Sequence, residues 1–534
     1  MYTNNIKYKY MLKIVLLIIA FWLISVPIHA TFSSGVDTTY NSYISQFQFH
    51  DDFEMLEENG AEEWEGWESW DGWENWDGRE VWENWEGWQE WEESINESWE
   101  EWEESINSEE STAEIAEEDR EEEVVNIELH TPAFTQIPMA GNNYPIVFVN
   151  SFLFSWGADE LGPLHPWGAF SSIPDFLATQ GFRVLEPIIG PFSSNRHRAI
   201  ELYYYLKGGT VDYGAYQAFT YGHARFGRTF PGIFPEWDHE TRVHLIGFSM
   251  GGLTAREIAN LIADGCEREI AFHQQNPHLE ISPLLAGETT GGIHSITTIG
   301  TPNNGMSFVS ERNIFLPFAQ RMVRFAASLS GVTINRFIFD FRFDQFGLRR
   351  NPGETFAAYA NRVFSSPIWR TQNTAIRDLR VNGVTANATN LQTRPDIYYF
   401  SHTGQTTRNN GRPRRNGRTG ERPMLSTDLI LIPSTLFTIV HRDPLTNPPI
   451  DNRWAASDGM VSTISSIHPF GHPARPYDGN PVRGVWNHHP VMHRWDHSSL
   501  HGYGFSRTTD EVNQFYLNIA WSLQSLPVYT PNFE

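Results

Sequence analysis

An apolar run, Val243-His-Leu-Ile246, leads directly into Gly247-Phe-Ser249-Met-Gly251, and Gly252-Leu-Thr-Ala-Arg256 continues as a helical pattern. A strand that turns sharply into a helix at a serine leaves little freedom of fold. The turn needs glycine where a Cβ would meet neighbouring backbone, and the strand that feeds it must be buried. The serine hydroxyl is held exposed at the head of the helix, whose dipole favours a developing negative charge. Such a turn suits nucleophilic attack.

The surroundings fit this turn. From about Val125 the chain alternates short apolar β-rich runs with helical stretches. Buried strands are expected at Pro145–Asn150, Val243–Gly247, Ser295–Ile299 and Asp396–Phe400, and helices at Leu253–Asp264 and Glu511–Leu526. Strands alternating with helices over some 400 residues indicate an α/β fold with a largely parallel sheet. Arg408 to Arg422, with six Arg among Gly, Asn and Pro, reads as an exposed loop.

A serine hydroxyl attacks only when a histidine takes its proton and a carboxylate orients that histidine. With a strand–serine–helix turn the partners follow in the order acid, then histidine. Among twenty histidines, His497 in Arg494-Trp-Asp-His-Ser498 is the best placed, shortly before the final helix. Its neighbours His488, His489, His493 and His501 read as loop residues or metal ligands. For the acid, Asp458 in the turn Ala456-Ser-Asp-Gly-Met460 has Asp451 as its nearest rival.

The first 125 residues differ in kind. Lys7, Lys9 and Lys13 precede the apolar stretch Ile14–Val26, and Pro27-Ile-His-Ala30 offers a cleavage point. Residues 1–30 thus read as a secretory signal peptide, the apolar stretch being shorter than the roughly 20 residues of a bilayer span. Residues 31–125 form an acidic spacer or propeptide. Between Asp51 and Val125 there are 32 acidic residues against two Arg, a net of −30 in a chain whose total is −27, so residues 126–534 are close to neutral. Tryptophan recurs there mostly every third residue, from Trp64 to Trp91, and WEESIN appears twice. A spacing of three drifts around a helix, and the charge repels itself, so no packed core is expected. An anionic tract argues against a nucleic-acid partner. Cys266 is the only cysteine, which excludes an intramolecular disulfide.

Residues 143–527 resemble the secreted lipases of thermoalkaliphilic bacilli and the related staphylococcal lipases. The resemblance is carried by Gly190-Pro-Phe-Ser-Ser-Asn195, Gly208-Gly-Thr-Val-Asp-Tyr-Gly214, Gly222-His-Ala-Arg-Phe-Gly-Arg-Thr-Phe-Pro-Gly232, Ile299-Gly-Thr-Pro302, Asp344-Gln-Phe-Gly-Leu-Arg-Arg350, Ser457-Asp-Gly459 and Gly484-Val-Trp-Asn487. It implies an α/β-hydrolase fold with a mostly parallel sheet, a helical lid and an inserted metal-type subdomain. It implies a triacylglycerol lipase with Ser249 as nucleophile, Asp458 as acid and His497 as base, acting on lipid esters at an oil–water interface. The implied oxyanion donors are the backbone N–H groups of Phe152 and Met250, with Asn150-Ser151 standing where the family has His-Gly.

The resemblance also implies a structural zinc, whose ligand positions fall on His197, Gln217, His223 and Asp344. Glutamine is a poor zinc ligand, so His197, His223 and Asp344 are the candidate donors. The family's calcium positions fall around Ser499 and Gly504, which carry no carboxylate, and this argues against calcium. Glu311–Ser330, rich in Ile, Leu, Phe and Met, falls in the lid region. The competing functions are a carboxylesterase or polyester depolymerase that needs no interface, and a weakly active hydrolase fold that binds surfaces through its Trp-rich segment.

Overall fold

The computed structural model describes residues 141–530 apart from 157–163, 311–338, 372, 389–390 and 412–419. The expected signal peptide, the acidic Trp-rich segment, the lid stretch and the middle of the Arg-rich loop lie outside the described residues. The expected strands are present as β1 (Ile146–Val149), β5 (Val243–Phe248), β6 (Ile293–Ile299) and β7 (Tyr398–His402). The last begins two residues later than expected, because Pro395 and Asp396 form a turn. Short pieces complete the set: β2 (Val184–Leu185), and the hairpin strands β3 (Gly209–Asp212) and β4 (Phe226–Phe230).

Seven strands form one sheet in the order Ala474–Pro476, Trp486–His488, β7, β6, β5, β1, β2, and every neighbouring pair is parallel. Parallel strands are covered on both faces, which is why β1, β5 and β6 are buried at every residue. Alternation divides the core. Val147, Val149, Val243 and Leu245 pack with Leu202 and Leu206 of the helix Asn195–Lys207 and with Ile258 and Leu261 of the helix Met250–Asp264. Ile146, Phe148, Ile246 and Phe248 pack on the other face with Leu177 of the helix Ile173–Thr179 and with Tyr516, Ile519 and Leu523 of the helix Thr509–Gln524. Each such buried side chain contributes on the order of 1.5–3 kcal/mol.

The last helix, Thr509–Gln524, starts at a capping box. Thr508 caps the Glu511 N–H, and the Glu511 carboxylate returns to the Thr508 N–H. The expected start at Glu511 was two residues late for that reason. The strands all run the same way, so their C-terminal ends gather the loops that carry chemistry. β3 and β4 stand apart as an antiparallel hairpin enclosing the short helix Ala215–Tyr221.

Candidate active site

Ser249 follows β5 immediately and adopts φ 51°, ψ −122°, a strained backbone for a non-glycine residue. Its N–H donates to the Ile299 carbonyl at the end of β6, 2.8 Å away. The flanking glycines are required by space. A Cβ on Gly251 would fall 2.0 Å from the Val149 carbonyl oxygen, and one on Gly247 would fall 2.5 Å from the Gly251 carbonyl carbon. The strand–turn–helix read in the sequence is thus the conformation adopted, and it presses the head of the helix against the end of β1.

His497 comes to the serine from the far end of the chain. Its Nε2 lies 3.1 Å from Ser249 Oγ, and its Nδ1 lies 2.8 Å from Asp458 Oδ2. The second oxygen of Asp458 accepts the N–H groups of Met460 and Val461 at 3.0 and 2.8 Å. All three side chains are buried, Asp458 almost completely. Asp451, the rival acid, is instead half exposed and paired with Arg453 at 2.8 Å.

The other histidines of this region lie elsewhere. His501 stacks on Phe248, ring centres 4.2 Å apart, and His489 stacks on His402 at 4.1 Å. His488 faces His468, and His493 is exposed. Burial pushes the His489 imidazole down to about 4 and that of His402 well below the usual range, so both are neutral in the fold.

Two carboxyls beside the base escaped the sequence reading. Asp496 caps the single turn His497–Leu500, accepting the Ser499 N–H at 2.7 Å, and its other oxygen accepts the Asp428 N–H at 2.8 Å. Asp428 in turn accepts the Phe505 N–H at 3.2 Å. Burial, then repulsion from Asp496, raises Asp428 well above the ordinary carboxylate range, and burial raises Asp496. The pair ties the histidine turn to the segment before Leu429–Leu431. The available signal was an acid directly before the base, a usual helix N-cap. At the positions where the family's calcium ligands fall, the Ser499 hydroxyl bonds Ser506 at 2.8 Å, and Gly504 leaves no room beside Ser499 for a side chain.

Met250 heads the helix after the serine. Asn150-Ser151-Phe152 follows β1, the parallel neighbour of β5, with Val149 opposite Gly247. The two expected oxyanion donors therefore sit on segments that flank the nucleophile. Asn150 and Ser151 are both buried, and Asn150 Nδ2 donates to the Pro187 carbonyl at 3.3 Å.

The expected zinc ligands are brought only partly together. His197 and His223 meet with ring centres 4.8 Å apart, but Asn373 Nδ2 lies between them, 2.9 Å from His197 Nε2 and 3.5 Å from His223 Nε2. Gln345 Nε2 lies 3.3 Å from His197 Nδ1. Burial, then His223, holds the His197 pKa well below the ordinary value. A neutral imidazole has one donor and one acceptor, so one of these two amides must present its oxygen. Gln345 Oε1, buried with no other hydrogen-bond partner among the described residues, can do so. Asp344 turns to Arg228 of β4, with contacts of 2.5 and 2.9 Å, and Arg228 also binds Asp340 at 2.7 Å. Tetrahedral zinc needs free lone pairs converging on a point, and a guanidinium between two aspartates works against it. As arranged, these donors do not fit zinc. Among the described residues, no group of three His, Cys, Asp or Glu side chains is placed to hold a metal.

The parallel α/β sheet, the serine elbow and the adjoining His–Asp pair have the geometry that serine hydrolases use. Residues 142–528 match the family model described as "Lipase-like, C-terminal domain", and the chain belongs to that family. It is 34% identical over 386 residues to Lipase 1 of Staphylococcus aureus (strain MRSA252), covering 71% of this chain and 54% of that protein. It is 33% identical to a lipase of Staphylococcus epidermidis, covering 72% and 54%. The chain thus spans about half the length of these curated relatives. Among solved structures it is similar to EstA from Clostridium botulinum (33% identity, TM-score 0.66, covering 74% of this chain and 90% of that one). It is also similar to lipase 1 from Pelosinus fermentans (35%, 0.64, covering 72% and 100%) and to Staphylococcus hyicus lipase (31%, 0.60, covering 73% and 97%).

Proposed function

We propose that this chain is a secreted serine ester hydrolase that cleaves triacylglycerols. The observation that carries the reading is the continuous line from Ser249 Oγ through His497 to the buried Asp458, built on the strained elbow. His497 Nε2 accepts the serine proton as Oγ attacks the ester carbonyl. Asp458 fixes the imidazole with its proton on Nδ1 and stabilises the imidazolium that forms. The tetrahedral oxyanion is held by the N–H groups of Phe152 and Met250. His497 then protonates the leaving alcohol, and the acyl-enzyme is hydrolysed by a water that His497 deprotonates.

Triacylglycerol is favoured as substrate by membership of a lipase family and by the apolar stretch 311–330 at the expected lid position. Such a lid covers the site in water and opens at an oil surface. The basic-then-apolar beginning of the chain supports export with cleavage near Ala30, leaving residues 31–125 as an acidic spacer. Among the described residues no helix is long and apolar enough to cross a membrane. The test compares hydrolysis of emulsified trioleoylglycerol with that of a soluble short-chain ester. Rates that rise sharply once the emulsion forms support the lipase. Activity confined to the short ester rejects it in favour of an esterase.

A further inference from the structure

Arg198 is completely buried, on the helix Asn195–Lys207. Its guanidinium donates from Nη2 to the Asn150 carbonyl, from Nη1 to the Gly190 carbonyl at 2.5 Å, and from Nε to Thr254 Oγ1 at 3.0 Å. Asn150 opens the turn that leads to Phe152. Thr254 lies one turn into the nucleophile helix, and its hydroxyl is 3.3 Å from the Met250 carbonyl. One side chain therefore grips both segments that carry the expected oxyanion donors.

The arrangement is costly unless it has a use. A buried guanidinium is normally matched by a carboxylate in direct contact. The acid one turn along the same helix, Glu201, instead accepts the Gly190 N–H at 2.6 Å and the Tyr213 hydroxyl at 2.8 Å. Burial lowers Arg198 to about 10, so it stays cationic at neutral pH. A planar fork with donors in fixed directions can hold three acceptors in one geometry, which an ammonium cannot.

Resting on the serine-hydrolase reading, we propose that Arg198 is the positioning residue of the oxyanion hole, fixing the Asn150–Phe152 turn at a set distance from Met250. This accounts for a working turn with Asn150-Ser151: its shape is fixed through a backbone carbonyl, which every side chain leaves in place.

The experiment uses the full chain with Arg198→Lys and Thr254→Val. For each, kcat and KM on a soluble short-chain ester are measured per active site, counted by titration, together with inhibition by an alkylboronic acid that mimics the tetrahedral intermediate. Misplacing one oxyanion donor costs about 10²-fold or more. Arg198→Lys is expected to lower kcat per site by about that factor with KM little changed, and to weaken the boronic acid in parallel. Thr254→Val should move both quantities the same way by a smaller factor. A purely structural role would reduce the number of titrated sites and leave kcat per site and boronate affinity intact, and that result overturns the proposal. If Arg198→Lys does not fold, an unchanged kcat per site in Thr254→Val overturns it equally. Failure of the underlying reading shows separately, as wild-type activity that ignores the boronic acid and survives Ser249→Ala.

Discussion

Asp458 and His497 are joined twice, by the carboxylate to the imidazole Nδ1 at 2.8 Å and by the His497 N–H to the Asp458 carbonyl at 2.7 Å. The second bond fixes the backbone from which the imidazole hangs, so acid and base keep their spacing even if the side-chain bond is altered. Asp458→Asn therefore isolates the chemical role of the acid. Asparagine can still accept the Met460 and Val461 N–H groups with its oxygen, which turns its N–H₂ to His497 Nδ1. That forces the imidazole proton onto Nε2, facing Ser249, where it cannot take the serine proton. The expected result is a loss of about 10³–10⁴ in kcat with a melting temperature close to wild type. A loss under tenfold would contradict the assignment.

Gly251 has no room for a methyl group, because the Val149 carbonyl lies 2.0 Å from where its Cβ would be. Gly251→Ala must push β1 away from the nucleophile helix. It is expected to destabilise the fold by several kcal/mol, at the upper end of single-residue effects, and to abolish hydrolysis in any soluble fraction. Thermal melts and active-site titration measure the two effects separately.

Metal dependence provides a third check. With Asn373 between the two imidazoles and Arg228 holding Asp344, extensive chelation should leave both metal content and melting temperature unchanged. Stoichiometric zinc in the untreated protein would show instead that the cluster rearranges around a metal.

Acid sensitivity follows from the stacked His402 and His489. Both have folded pKa values below that of a free imidazole, His489 near 4 and His402 lower still, through burial first. Above about pH 6.5 folded and unfolded chains are both neutral there and no linkage arises. As the pH falls from about 6.5 towards 4, only the unfolded chain gains these protons, and stability falls by up to about 1.4 kcal/mol per pH unit for each group. His489→Phe keeps an aromatic ring against His402 and should flatten that decline. An unchanged slope in denaturant melts between pH 4 and 6.5 would contradict it.

The parts legible in the sequence were those enforced locally. Buried parallel strands show as unbroken apolar runs, and the glycines of the elbow are set by close backbone approach, so β1, β5, β6 and Ser249 could be placed from pattern alone. Strands of two or three residues, such as Val184–Leu185 and Ala474–Pro476, are too short to have a period. The choice between Asp458 and Asp451 depended on tertiary approach, which resemblance supplied and periodicity could not. Asn373 and Arg198 act through groups distant in sequence, one at the imidazoles and one at backbone carbonyls. No spacing rule links them to His197 or Asn150, so neither was legible.

The most direct test is covalent. The full chain is treated with a fluorophosphonate, digested and mapped by mass spectrometry, with hydrolysis of trioleoylglycerol followed in the same samples. The account predicts one adduct, on the peptide containing Ser249, with activity lost in proportion to labelling and both absent in Ser249→Ala. Full activity with Ser249 labelled, or activity that persists in Ser249→Ala, would contradict it.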